Sequence, residues 1–83
     1  MFDLALLKVE ASNLPALHFS LERDPQPGEL VFAIGSPEGL QTSVSMGVIS
    51  SAWRQPDPDS PAVYLQTDAP INPGNSGGPL VDV

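Results

Sequence analysis

Ser76 is the residue of this chain best placed by its neighbours to do covalent chemistry. It stands in Gly74-Asn75-Ser76-Gly77-Gly78-Pro79, with Ile71-Asn72-Pro73 before it and Leu80-Val81 after it. Glycines permit backbone angles that a residue with a Cβ avoids, and they let another chain come close. Pro73 fixes one dihedral at the entry and Pro79 another at the exit. The expected product is a stiff, tight loop that presents one hydroxyl beside unencumbered backbone N–H groups. A nucleophilic serine needs that pairing, because the hydroxyl attacks a carbonyl and the N–H groups hold the oxyanion that forms. The plainer alternative is a Gly-rich turn before a strand, with a solvated serine. Six ordered positions with context on both sides favour the nucleophile.

Other residues carry weaker signals. Asp3 alone reads as a polar cap at the start of a strand. His18 is the single histidine. Asp57 and Asp59 mimic a carboxylate pair, but a Pro-rich loop without further ligands is a poor metal site, and both read as solvated. Asp68, upstream of Ser76, either orients the loop by accepting backbone N–H bonds or is a plain turn residue. Trp53 and Tyr64 are expected to fill core or barrel rim rather than to bind substrate.

The elements that position these residues read as strands. Residues 3 to 9 form a short apolar run and are expected to be a strand with both faces mostly buried. Residues 10 to 28 are irregular, with Leu17 and Phe19 hinting at a short strand. Asp24-Pro25-Gln26-Pro27-Gly28 is a break. Residues 29 to 35 read as a buried strand ended by Ser36-Pro37-Glu38-Gly39. Residues 42 to 53 read as a long strand, in which Val44, Met46 and Val48 alternate with Ser45, Gly47 and Ile49. Gly47 in its middle implies a bulge, a bend or a close backbone neighbour. Residues 55 to 61 are an exposed hairpin loop, residues 62 to 66 the next strand, and Leu80 starts another. Short strands between Pro- and Gly-rich turns indicate an all-β sandwich or barrel.

Bulk properties bound the function. The chain has 83 residues, a net charge of −7, three basic residues and no cysteine. A chain of this size buries only about 60% of its unfolded surface and is marginal without help. The charge removes the electrostatic basis for a nucleic-acid partner. No disulfide or cysteine-based metal site exists. No apolar run reaches membrane-spanning length, so no membrane insertion is expected, and the N-terminus lacks the basic region of a signal peptide.

Four segments together resemble the trypsin-like peptidase domain of the HtrA/Deg serine proteases. They are Asp3 to Val9; Gly28-Glu29 running into Ala33-Ile34-Gly35-Ser36-Pro37-Glu38-Gly39; Gly47-Val48-Ile49-Ser50; and Gln66-Thr67-Asp68-Ala69 through Asn72-Pro73-Gly74-Asn75-Ser76-Gly77-Gly78-Pro79-Leu80. They occur in the family's order and span nearly the whole chain. The resemblance implies a chymotrypsin-like double β-barrel with the active site between the barrels. Residues 1–27 would finish the first barrel and connect the two, and residues 28–83 would begin the second. It implies that Ser76 is the nucleophile and Asp3 the triad aspartate. It puts the oxyanion hole at Gly74 and Asn75, built from the N–H groups of Gly74 and Ser76. Ala69, Pro70 and Ile71 would border the primary specificity pocket. No metal or other cofactor is implied. Asn75 precedes the serine where digestive proteases have aspartate, so activation by a freshly cut N-terminus is not expected. Pro70 stands where the family more often has a small residue.

The same resemblance leaves the base unaccounted for. The family order is His, Asp, Ser, and His18 follows Asp3 in the variable connection between barrels, so it reads as a surface residue. The expectation is a chain truncated at both ends and inactive alone, belonging to a serine endopeptidase of protein quality control. Its substrates would be unfolded proteins or peptides. The family implies the bacterial periplasm or envelope and a homotrimer. The alternative is a catalytically dead trypsin-like domain acting as a binding or chaperone module.

Overall fold

The structure is a computed structural model that describes residues 3–19, 23–36, 41–61 and 63–83. Among the described residues, four antiparallel strands form it: β1 (Leu30–Gly35), β2 (Ser43–Arg54), β3 (Tyr64–Thr67) and β4 (Leu80–Asp82), with a 3-10 turn at Pro73–Asn75. Their order in space is β3-β2-β1-β4. The first three strands follow one another as hairpins, and the fourth returns by a long connection to lie beside the first. That is the Greek-key arrangement, and the long connection is the segment that carries Ser76.

Local chemistry explains each element. Pro27-Gly28 sits at the centre of a turn closed by the Glu29 N–H on the Gln26 carbonyl at 3.1 Å. Gly28 has φ +91°, the left-handed angle that the third position of a type II turn requires. The turn delivers the chain into β1, whose Val31 and Ala33 are buried. β1 pairs with β2 from Leu30↔Val48 to Gly35↔Ser43, and with β4 from Val31↔Asp82 to Ala33↔Leu80.

Residues directly opposite in an antiparallel pair share a face. One face therefore collects Val31, Ala33, Ser45, Gly47 and Ile49, and it is the inner one. Ile49 is 2% exposed, while Val44 and Met46 on the other face are about 60% exposed. The apolar alternation along β2 thus faces outward. The small residues face inward because the connection back to β4 lies across them.

β2 is longer than β3 can match. Its register slips between Ile49 and Ser51 and again between Ser51 and Arg54. At each slip one extra β2 residue bulges out. Trp53, in the second, takes φ +58°. Trp53 and Tyr64 are each 56% exposed, so neither is in the core, and both lie at the loop end of the hairpin, beside residues 55–61. The bulge turns them away from the inner face.

Residues 3 to 9 do not form the expected strand. Leu4, Leu6 and Leu7 are almost fully exposed, and the segment joins neither edge of the sheet. A strand exists only where a neighbour offers N–H and C=O groups to it, and none lies alongside among the described residues. Leu17 and Phe19 are likewise exposed and unpaired. Arg23 ties the connection to the sheet through Glu29 at 2.7 Å and Asp82 at 3.0 Å.

Candidate active site

The connection from β3 to β4 crosses the sheet strand by strand, and each crossing has an anchor. On β2, the Thr67 hydroxyl donates to the Val48 carbonyl at 2.7 Å and accepts the Ala69 N–H at 3.2 Å. The Asp68 carboxylate accepts the Val48 N–H at 2.8 Å. The Asp68 N–H returns to the Val48 carbonyl at 3.3 Å, and the Ser45 hydroxyl donates to the Pro70 carbonyl at 2.6 Å. Gly47 completes the seat. A Cβ there would lie 2.6 Å from the Ala69 Cα and closer still to Ala69 N and Asp68 Oδ1. Of the three readings open for Gly47, the close backbone neighbour is the one found. Asp68 does accept a backbone N–H, but from β2 rather than from the Ser76 loop.

On β1, the Ser36 N–H donates to the Gly74 carbonyl at 3.2 Å and the Ile34 N–H to the Pro79 carbonyl at 3.1 Å. Gly35 lies so near the turn that a Cβ there would come within 2.8 Å of Asn75 Cα and Gly74 O. A Cβ at Gly78 would run into the Ile34 carbonyl. The turn therefore rests directly on the end of β1, with glycine on both sides of the contact.

Within the turn, Pro73 occupies the first 3-10 position, where its missing N–H costs nothing. The Asn75 N–H donates to the Asn72 carbonyl at 2.9 Å and the Gly78 N–H to the Asn75 carbonyl at 2.8 Å. Gly77, at φ +79°, reverses the chain after Ser76, a geometry that a side chain would strain. Ser76 is exposed and lines a shallow depression with Ile34, Ser36, Thr42, Gly74 and Pro79. Among the described residues, no group is hydrogen-bonded to its hydroxyl.

Of the N–H groups expected to hold an oxyanion, that of Ser76 is loosely held, in contrast to the neighbouring Asn75 N–H. Ser76 N–H reaches the Pro73 carbonyl at 3.4 Å, beyond the usual 2.7–3.2 Å range. The Asn75 N–H is firmly engaged. The Asn75 side-chain oxygen is buried against Gly35 and has no hydrogen-bond partner among the described residues.

The other expected site residues lie apart. Asp3 is exposed in the irregular N-terminal segment. His18 is exposed and lines a separate cleft of about 510 Å³ with Leu17, Phe19, Val31, Ile49 and Leu65, sharing only Gly78 and Pro79 with the Ser76 depression. Ala69 is buried, while Pro70 and Ile71 are exposed. Pro37, Glu38 and Gly39, which belong to one of the segments that carry the resemblance, lie outside the described residues. Asp57 accepts the Asp59 N–H at 2.9 Å, a local turn contact. Among the described residues, no cluster of His, Cys, Asp or Glu could hold a metal, and no helix is long and apolar enough to cross a membrane.

A serine in a glycine-walled turn, carried by the return of a Greek key, matches a known family along its full extent. The trypsin-like peptidase domain matches residues 1–83. The chain belongs to the trypsin-like peptidase family. Within it the likeness is to the HtrA/Deg serine proteases. The serine protease HhoB of Synechocystis sp. is 48% identical over 86 residues, covering 99% of this chain and 21% of that protein. A DegP-like periplasmic serine endoprotease of Marinomonas sp. is 46% identical, with 98% and 17% covered. Among solved structures, the HtrA-type protease AlgW with a tripeptide has a TM-score of 0.76 and 42% identity, covering 90% of this chain and 25% of that one. The serine endoprotease from Yersinia pestis has a TM-score of 0.72 and 43% identity, with the same coverage. The chain thus spans about a fifth of the length of the curated relatives it matches. As a trypsin-like peptidase it is all-β, and its sheet is part of the chymotrypsin-like fold.

Proposed function

We propose that this chain is the nucleophile-bearing portion of an HtrA-type serine endopeptidase, with Ser76 as the nucleophile. The observation that carries the reading is the Ser76 turn. The turn is held on β1 by glycine contacts, and its hydroxyl is exposed and unengaged among the described residues. In the reaction, Ser76 Oγ bonds to a peptide carbonyl carbon and gives its proton to a histidine. The C–N bond breaks, the histidine passes the proton to the leaving amine, and water then cleaves the acyl-enzyme. Asp3 would orient that histidine. His18 lines a different cleft, and a histidine in the role of base rests on family resemblance. The oxyanion would be held by Gly74 N–H and Ser76 N–H, on the part of the turn marked by Gly74 and Asn75. The long Ser76 bond to Pro73 makes that N–H the easier one to release. No cofactor enters the chemistry.

The substrates proposed are unfolded proteins and peptides. A peptide accompanies AlgW in one solved relative, and relatives are named periplasmic endoproteases, so the same compartment is proposed here. Assembly as a homotrimer, and the division into residues 1–27 and 28–83, rest on family resemblance. Cleavage of a denatured protein by the full-length protein tests the reading. Ser76→Ala should lower kcat by about 10⁵-fold or more while leaving substrate binding intact. Equal cleavage by the variant would overturn the reading. Absence of cleavage in both, with binding retained, would favour a binding module.

A further inference from the structure

Two anchors hold the connection between β3 and β4, and they hold different parts of it. The β1 anchor touches residues 74–79, which include the nucleophile. The β2 anchor touches residues 67–70, which lead into Ala69, Pro70 and Ile71. We propose that Asp68 is a positioning residue for substrate recognition: by pinning the chain to the Val48 N–H, it sets the wall formed by Ala69 to Ile71 without setting the reactivity of Ser76. The inference rests on the peptidase reading and deepens it.

The geometry supports this division. Asp68 is tied to Val48 by both its carboxylate and its own N–H, at 2.8 Å and 3.3 Å. The next residue, Ala69, is buried over Gly47. The residue after that, Pro70, is held through its carbonyl by Ser45 at 2.6 Å. Pro70 has no N–H to donate, and its carbonyl, the Ala69 N–H on the Thr67 hydroxyl and the Asp68 contacts together fix the backbone at the start of the wall. The carboxylate contributes as an acceptor. Asp68 is exposed, so an uncharged amide in its place keeps an oxygen for Val48 and turns its nitrogen to water. From Gly74 onward the chain passes instead to Ser36, Gly35 and Ile34 at the end of β1.

Steady-state kinetics on a peptide substrate, normalised to active sites titrated by a small fluorophosphonate, test this in the full-length protein. Asp68→Ala should raise KM about tenfold, the scale of one hydrogen bond to a charged group. It should leave kcat and the rate of fluorophosphonate labelling within about threefold. Asp68→Asn should restore KM to within about threefold of wild type, because the acceptor is retained. Ser45→Ala should move KM the same way by a smaller factor, which keeps the test open if Asp68→Ala folds poorly. Gly35→Ala should do the reverse and slow labelling by about a hundredfold, since it displaces the nucleophile turn. A merely structural role would lower the titrated fraction and leave KM per site unchanged; that result would overturn the proposal. So would an Asp68→Asn variant as impaired as the alanine. If wild-type Ser76 is not labelled at all, the peptidase reading falls and this inference with it, which distinguishes the two failures.

Discussion

At the scale of single residues, Ser76 depends on what its neighbours lack. Gly35 and Gly78 have no Cβ to keep the turn off β1, and Pro73 has no N–H to leave unpaired. These absences were legible in the sequence, because glycine and proline act through backbone geometry that does not depend on distant contacts. The role of Ile49 was less legible. It alternates with Val48 in an apolar run, and either could have faced inward. The structure buries Ile49 because the small residues Ser45 and Gly47 on its face leave room for the returning chain. Ile49→Ala should destabilise the peptidase domain by about 2–5 kcal/mol, as for other fully buried aliphatic truncations. The equivalent change at exposed Val44 should cost less than about 0.5 kcal/mol. Denaturant unfolding of the two variants measures the contrast.

At the scale of elements, strands bounded by turn chemistry were read nearly correctly. The expected 29–35 and 42–53 correspond to Leu30–Gly35 and Ser43–Arg54. Their limits are set by local punctuation: Pro27-Gly28 before one and the Pro-rich loop after the other. The strand expected at residues 3–9 is absent because its propensity is local and its partner is not. Of the two places expected for Trp53 and Tyr64, core or rim, the core is excluded for a related reason. Two bulges shift the register of β2 against β3, and nothing in the sequence between Ser51 and Arg54 announces them. The hairpin loop at 55–61 was read correctly as exposed. Its Ser60 N–H closes on the Asp57 carbonyl at 3.0 Å. Replacing both Asp57 and Asp59 by Asn should shift stability by less than about 0.5 kcal/mol, because asparagine supports the same turn. An unchanged melting temperature, with and without a chelator, is the expected result.

At the scale of the whole molecule, the Greek key explains why one connection carries both Ala69 to Ile71, the proposed substrate wall, and Ser76, the proposed nucleophile. A chain that leaves β3 must pass β2 and β1 before it can pair as β4, a span of roughly 14 Å at about 4.8 Å per strand. It crosses the inner face over Gly47 and Ser45 and is fastened at each strand it passes. Asp3 and His18 belong to the segment before this unit, and the structure brings neither to Ser76. The proposed triad therefore draws on residues that the sheet does not contain. Part of the site was legible as a motif, and the rest was not, because a catalytic base is defined by spatial approach rather than by spacing along this chain.

The central claim is that Ser76 is an activated nucleophile in the intact protein. It is tested most directly by fluorophosphonate labelling followed by mass-spectrometric mapping of the adduct. The account predicts an adduct on Ser76 of the full-length protein, none in Ser76→Ala, and none in the 83-residue chain by itself. A folded full-length protein whose Ser76 stays unmodified under conditions that label a control serine protease would contradict it.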